Sequence, residues 1–431
     1  MSPTSTPFAT PEPASGQANH GVATPASFTA VHWADPTREA VFNHWLSGLA
    51  PAQGLQVPTV RLASTDASFR RYLRLDSVHG SRIIMDAPPD KEDCRPFEQV
   101  ARLMAQAGLK VPEVLAWDQG NGFMLLSDLG RHTMMQLMNR DDPQANFAMY
   151  MQAVDALIAW QLASKSGVLP VYDEALLRRE LGLFPEWYLT RHRGIAVEGE
   201  IRRTLEAAFN LIVAQNLAWP SVYVHRDFMP RNLMAPTLVA TRTALDMPTT
   251  EATALRSVPT CANRSGAADL SPEGAELARG GPAAKPAAAP GVEDARLGIL
   301  DFQDAVYGPI TYDIASLMRD AFLTWGEDFV LDITVRYWQK AKAAGLPVGD
   351  DFGAFYRGVE WMGLQRHLKV AGIFARLTLR DGKPQYLADV PRFIDYIRAT
   401  TSRYNELRPL MRMIEKIEGL EAPTGFAFGR I

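Results

Sequence analysis

His225-Arg226-Asp227-Phe228-Met229-Pro230-Arg231-Asn232 is the stretch on which the reading of this chain turns. An Asp and an Asn at this spacing can serve one phosphoryl transfer. The Asp orients an acceptor hydroxyl and accepts its proton, and the Asn carbonyl oxygen ligates Mg²⁺ on a nucleotide. Such a loop calls for a second carboxylate at the end of a strand, and Leu297-Gly298-Ile299-Leu300-Asp301-Phe302-Gln303-Asp304 supplies it at Asp301. An apolar strand, Val222-Tyr223-Val224, leads into the first motif. If Tyr223-Val224 and Ile299-Leu300 are neighbouring strand segments, the residues between the motifs form an enlarged hairpin tip, whose closure cost grows only slowly with length.

The intervening residues have the composition of such a tip. From about 236 to 296 the chain is rich in Pro, Ala, Gly and Thr, ending in Gly280-Gly281-Pro282-Ala283-Ala284-Lys285-Pro286-Ala287-Ala288-Ala289-Pro290-Gly291. A structureless run of that length inside a compact domain is improbable, so it is expected to be a disordered surface insertion. Residues 1–36 share the composition and bury too little apolar surface to offset chain entropy, so they are expected to form a disordered tail. Between them, Arg70–Leu75, Ser81–Met85 and Gly122–Leu126 read as strands around a helix bearing Phe97, Val100, Leu103 and Met104 on one face. After Asn146 the apolar periodicity becomes helical, with long amphipathic patterns at Glu327–Ala344 and Asp351–Leu377. The expected organisation is therefore α+β: a nucleotide-binding β-rich lobe over 37–130, a helical lobe over 131–235 carrying the catalytic loop, the insertion over 236–296, and the rest of the helical lobe over 297–431.

With 431 residues, the chain is long enough for two lobes around a cleft. A net charge of −4 argues against a general nucleic-acid binder or an electrostatic membrane binder. Cys94 and Cys261 are the only cysteines and sit in no cluster, so neither a disulfide scaffold nor a zinc site is indicated. No charged-then-apolar leader and no apolar run of about 18 residues is present, which makes a cytoplasmic protein the expectation.

The residues resemble the aminoglycoside phosphotransferase and choline kinase superfamily, which shares the bilobal protein-kinase-like fold. The resemblance is closest to bacterial anomeric kinases acting on N-acetylmuramate and N-acetylglucosamine. It is carried by Asp66-Ala67-Ser68-Phe69-Arg70-Arg71-Tyr72, by Asp301-Phe302-Gln303-Asp304-Ala305-Val306-Tyr307-Gly308-Pro309 and by Trp361-Met362-Gly363-Leu364-Gln365-Arg366-His367-Leu368-Lys369-Val370. It covers most of residues 37–415 apart from the insertion. It implies Asp227 as base, Asn232 and Asp301 as Mg²⁺ ligands, and His225 as a brace for the loop. The implied donor is ATP, the implied partner a small-molecule amino sugar, and the implied state a monomer.

Arg61 to Phe69 stands where a glycine-rich phosphate loop is expected; small and hydroxyl residues, with Ser64, Thr65, Asp66, Ala67 and Ser68 as the expected contacts, let backbone N–H groups approach phosphate oxygens. Where kinases place a strand Lys, this chain has Met85, so Arg70 or Arg71 is expected to supply the missing cation. Glu98, without that Lys, reads as a solvated surface residue. Leu125-Leu126-Ser127-Asp128-Leu129-Gly130 resembles an inter-lobe hinge, with backbone groups at Ser127 and Leu129 available to a purine edge. Gln303 and Asp304 face metal, sugar or merely a turn. Arg366, His367 and Lys369 form a basic stretch that suits a neutral or anionic acceptor, with a solvated helix face as the other reading. Trp187 and Trp361 either stack on a sugar ring or belong to the core. The function implied is an amino-sugar 1-kinase of cell-wall recycling. An aminoglycoside- or choline-type kinase and a non-catalytic nucleotide-binding module are the alternatives.

Overall fold

A computed structural model describes residues 31–65, 69–236 and 295–420, with the side chains of Ser64 and Thr65 left aside. The expected tail and insertion fall almost wholly outside the described residues, as do Asp66, Ala67 and Ser68. In chain order, helix α1 (Pro36–Gln53) leads into strands β1 (Leu55–Thr65), β2 (Arg71–Ser77) and β3 (Gly80–Asp86). Helix α2 (Arg95–Gln106) and the hairpin β4 (Val114–Asp118) and β5 (Phe123–Ser127) follow. The backbone clusters into two compact units, one built from Met1–Cys94 with Val114–Asp128 and the other from Arg95–Glu113 with Leu129–Ile431. Helix α2 thus belongs with the second unit.

The first unit is an antiparallel sheet in the order β1-β2-β3-β5-β4, covered on one face by α1. Alternate residues of β2, Leu73 and Leu75, are buried, and they meet Ile84, Phe123 and Leu125 together with Phe42 and Leu46 of α1. Asp35 starts α1 by accepting the Thr37 N–H at 2.8 Å with Pro36 in the first turn, and left-handed Gly54 ends it. Trp33, inside the span expected to be tail, packs on Phe42 with ring centroids 4.9 Å apart.

The second unit is helical. It continues with α3 (Met134–Leu137), α4 (Phe147–Leu162), α5 (Glu174–Leu181), a π-helical stretch over Phe184–His192 and α6 (Gly199–Leu217). Four short strands follow, β6 (Ser221–Val224), β7 (Leu233–Met234), β8 (Gly298–Ile299) and β9 (Val306–Pro309). The chain ends in α7 (Thr311–Met318), α8 (Glu327–Ala343), α9 (Phe352–Leu379), α10 (Val390–Arg403) and α11 (Arg408–Glu418). Helix α9 is the axis of this unit, packed by α6, α7, α10 and the π-helical stretch. It is buried on nearly every face along its middle. Among the described residues no helix is long and apolar enough to cross a membrane.

The strands form two nested antiparallel ladders. The inner one pairs Leu233 with Ile299 and Met234 with Gly298, and the outer one pairs Ser221–Val224 with Val306–Pro309. This corrects the expected pairing of Tyr223-Val224 with Ile299-Leu300. Asp301, two residues past the end of β8, turns left-handed (φ 64), and the chain loops through Phe302 to Ala305 before β9 lies along β6. The nesting leaves residues 225–232 and 300–305 as the two segments enclosed between ladders.

Candidate active site

Both enclosed segments are fixed by backbone hydrogen bonds. The Leu300 N–H donates to Asn232 O at 2.9 Å, and the Asn232 N–H donates to Met229 O at 2.8 Å, closing a tight turn that begins at Pro230. His225 ties the segments together: its Nε2–H donates to Leu300 O at 3.0 Å, and its Nδ1 accepts the Asp227 N–H at 3.3 Å. That arrangement requires the neutral ring, and burial, opposed by Asp313 and Asp227, holds the imidazole below its ordinary value. His225 is therefore a brace.

A residue that sequence reading missed carries the loop from below. Asp313, in the first turn of α7 and fully buried, accepts the His225 N–H at 2.6 Å and the Arg226 N–H at 3.0 Å. Two backbone donors are thus met by one carboxylate. Desolvation outweighs these bonds and pushes the Asp313 carboxyl up to about 6. Its sequence neighbourhood, Ile310-Thr311-Tyr312-Asp313-Ile314, reads as an ordinary helix start. No local signal distinguishes it from a solvated helix acid.

Asp227 keeps 41% of its side chain open to solvent, unlike its neighbours. Burial opposes its ionisation, but Lys369, Arg366 and Arg226 outweigh burial and hold the carboxyl below its ordinary range. The Asn232 side-chain amide donates to Asp227 O at 2.9 Å and to Asp301 Oδ2 at 3.2 Å. Its Oδ1 is left as the atom able to ligate. Gln303 Nε2 donates to Asp301 Oδ1 at 2.9 Å, so Gln303 orients this carboxylate from the other side. Asp304 is exposed, and its backbone carbonyl accepts from Arg226 at 3.4 Å.

The basic stretch of α9 is no solvated face: Arg366, His367 and Lys369 are buried. Arg366 is buried and donates to Arg226 O at 2.5 Å, with its other nitrogen 4.0 Å from Asp227 Oδ1. Lys369 Nζ lies 2.9 Å from Glu180 Oε1 and 3.3 Å from the Tyr312 hydroxyl. His367 is stacked on Tyr396 at 4.5 Å and bonded through Nε2 to Arg319 O at 3.2 Å; burial takes its pKa down to about 3. These groups sit inside the unit because α9 is its central helix, where charges persist only with partners. The tryptophans are likewise core: Trp361 is buried against Tyr404, and Arg191 covers Trp187 at 4.0 Å.

In the first unit, Met85 is fully buried in β3 and carries no charge toward any phosphate. Arg71 is committed elsewhere. It binds Asp86 at 2.6 Å and lies over Trp33 at 3.9 Å, while Arg38 holds the other Asp86 oxygen at 2.5 Å. Arg70 lies within electrostatic reach of Cys94. Ser127 pairs with Arg82 across β3 and β5; the adjacent Asp128 accepts from Arg74 at 2.6 Å and from Ser81 at 2.7 Å. Leu129, in the second unit, is buried against Gly298, where a Cβ would meet it at 2.8 Å. Glu98 is half-exposed, 3.8 Å from Arg102 one turn on.

The pattern of the phosphotransferase enzyme family matches residues 59–239 and 291–350, more than half of the chain, and its break falls within the span read as an insertion. An N-acetylmuramate/N-acetylglucosamine kinase of Pseudomonas aeruginosa is 42% identical over 396 residues, covering 90% of this chain and 99% of that protein. A kinase of the same name from Neisseria meningitidis serogroup B is 40% identical over 394 residues, 91% of this chain and 99% of its own. Among solved structures, a choline/ethanolamine kinase family protein from Mesorhizobium loti aligns with a TM-score of 0.51 at 12% identity, over 88% of this chain and 99% of its own. The chain belongs to the phosphotransferase enzyme family. Its fold is the bilobal protein-kinase-like one, with a small β-rich unit and a large helical unit.

Proposed function

We propose that this chain is an ATP-dependent amino-sugar kinase that phosphorylates the anomeric hydroxyl of N-acetylmuramate or N-acetylglucosamine. The observation that carries the reading is the 42% and 40% identity, along nearly the whole length, to kinases named for those two sugars. The geometry of the loops supports it. An open Asp227 carboxylate beside an Asn232–Asp301 pair is the equipment a hydroxyl acceptor and a metal-bound phosphate need.

In this reading Asp227 accepts a hydrogen bond from the anomeric hydroxyl, aims its oxygen at the γ-phosphorus and takes the proton as the new O–P bond forms and the bond from that phosphorus to the bridging oxygen breaks, releasing ADP. A loose phosphoryl transition state asks for orientation more than for a strong base, so a carboxylate kept ionised by surrounding cations suits the task. Asn232 Oδ1 and the Asp301 carboxylate make an oxygen-only donor set that fits Mg²⁺, which when bound would neutralise phosphate charge. The backbone of Ser64 to Ser68, Arg70, Ser127 and Leu129 remain the proposed nucleotide contacts. The basic contact to the acceptor is withdrawn for Lys369 and His367, whose polar atoms are engaged inside the fold. Arg366 acts on the loop through the Arg226 carbonyl, and Asp304 stays as a candidate contact to the sugar. The chain is proposed to act as a monomer in the cytoplasm.

The test is direct. The protein is incubated with ATP, Mg²⁺ and, separately, N-acetylmuramate, N-acetylglucosamine, choline and kanamycin, and phosphorus NMR locates the transferred group. An anomeric phosphate on either amino sugar is the expected result. Phosphate on kanamycin or choline alone would overturn the reading.

A further inference from the structure

Beneath the catalytic loop lies a buried carboxylate that the proposed chemistry does not use. Glu180, near the end of α5, receives four donors. Arg226 reaches its Oε1 at 2.5 Å and Lys369 the same oxygen at 2.9 Å, while Tyr172 donates to Oε2 at 2.6 Å and Gln365 to Oε2 at 2.9 Å. A buried carboxylate of this kind leaves no oxygen for a ligand, so Glu180 is not a binding residue. What it does is set where two cations point. Lys369 is also the cation that weighs most on Asp227, and Arg226 adjoins it in sequence.

We propose that Glu180 is a positioning residue for the acceptor base. By drawing Lys369 and Arg226 onto itself, it keeps both off Asp227 and leaves an Asp227 oxygen free for the incoming hydroxyl. The inference rests on the reading of Asp227 as that base. Charge balance makes it specific. Arg226, Lys369 and Arg366 face Glu180, Asp227 and Asp313, so the cluster is neutral as it stands and gains one positive charge if Glu180 is neutralised. Asp227, open to solvent and 4.0 Å from Arg366, lies within reach of that surplus. A lysine side chain is long and flexible enough to redirect its ammonium to a new partner, and an ion pair there would compete with the acceptor for the same oxygen.

Glu180→Gln removes the charge while keeping the shape. It is expected to lower kcat about 100-fold with less than a twofold change in the KM for ATP. Adding Lys369→Met to that variant restores neutrality and is expected to bring kcat back to within about tenfold of wild type. A crystal structure of Glu180→Gln should show Lys369 Nζ within hydrogen-bonding distance of Asp227. A double variant no faster than the single one, or Lys369 unmoved in that crystal structure, overturns the proposal, because the loss then does not come from a Lys369 released onto Asp227. Should Glu180→Gln fail to fold, Lys369→Met alone decides: a loss of about tenfold or less agrees, and more than about 100-fold in the folded protein puts the ammonium in the chemistry and sinks the idea. If wild type phosphorylates no sugar, the functional reading fails separately, and slow hydrolysis of ATP, with water as acceptor, still reads the same ratios.

Discussion

Arg226 and Asp301 adopt left-handed backbone conformations, with φ of 77° and 64°. An Asp tolerates that region through its short polar side chain, whereas an Arg there costs on the order of 1 kcal/mol and persists only where its surroundings fix it. Asp313, Ser316 and Arg366 hold its backbone, and Glu180 holds its side chain. These contacts fix the loop on which Asp227 keeps its carboxylate partly open to solvent. Asp227→Asn is therefore expected to remain folded, by circular dichroism and a cooperative thermal melt, and to lose at least about 10³ in kcat. A folded variant retaining a tenth of wild-type turnover would remove Asp227 from its role. A second acid gives a pH signature. Folding raises the Asp320 carboxyl from 3.8 to about 6, because burial outweighs the Phe322 N–H and the nearby Arg366, Arg231 and Arg392. The folded state thus holds that proton more tightly than the unfolded chain does. The stability it confers is complete below about pH 4 and is lost as pH rises through about 6. Asp320→Asn should melt higher than wild type at pH 8 and lose that advantage near pH 4.5; an equal difference at both values contradicts the assignment. Asp227 and Asn232 stand in one motif and Asp301 in a second; their expected meeting in space is seen in the Asn232–Asp301 hydrogen bond at 3.2 Å, while their roles remain proposals. The engagement of Arg366 and Lys369 inside the fold was not legible, because their partners, Arg226 and Glu180, lie far away along the chain.

The elements show why such partners meet. Helix α9 was legible as a long apolar pattern, expected over Asp351–Leu377 and found over Phe352–Leu379. Its charged residues suggested an acceptor contact or a solvated face, yet helices and the π-helical stretch surround it, so the pattern recorded periodicity and hid the burial. Gly372 makes one of these approaches possible. A Cβ there would lie 2.4 Å from the backbone carbonyl of Leu183, at the entrance to the π-helical stretch, and backbone cannot swing aside. Gly363, in the same helix, would place its Cβ 3.5 Å from Arg319, an ordinary contact. Gly372→Ala should therefore destabilise the protein by about 2–4 kcal/mol. Gly363→Ala should stabilise it by up to about 1 kcal/mol, through the better helix propensity of Ala. Urea denaturation of both variants separates the cases; similar effects would mean that the approach of Leu183 is not tight. The strand pairing was misassigned for a related reason. Two-residue strands carry no alternation to read, and only the left-handed turn at Asp301 dictates that β9, not β8, lies beside β6.

At the scale of the whole molecule, the sequence conveyed two folded parts and a long interruption, but not which part each segment joins. The helix over Arg95–Gln106 lies between strands of the first unit and nevertheless clusters with the second. There Phe97 meets Phe302 with ring centroids 4.9 Å apart, a contact between distant residues that no window of sequence reveals. The interruption itself leads to a prediction. The inner ladder joins Met234 to Gly298, the Ala235 N–H donates to His132 O at 3.0 Å, and the Ile299 N–H donates to Lys110 O at 2.8 Å. Both ends of the interruption are thus anchored to the second unit, and neighbouring ladder partners can be joined by a short turn. Replacing residues 238–293 with a link of about six Gly and Ser residues should leave residues 225–232 and 300–305 in place. Closing a loop about ten times shorter should also recover up to about 2 kcal/mol of chain entropy. The shortened protein is expected to keep wild-type kcat and KM within about threefold and to resist urea slightly better. Loss of turnover in a shortened protein that still melts cooperatively would show that the interruption contributes to catalysis, against the reading of it as an indifferent expansion.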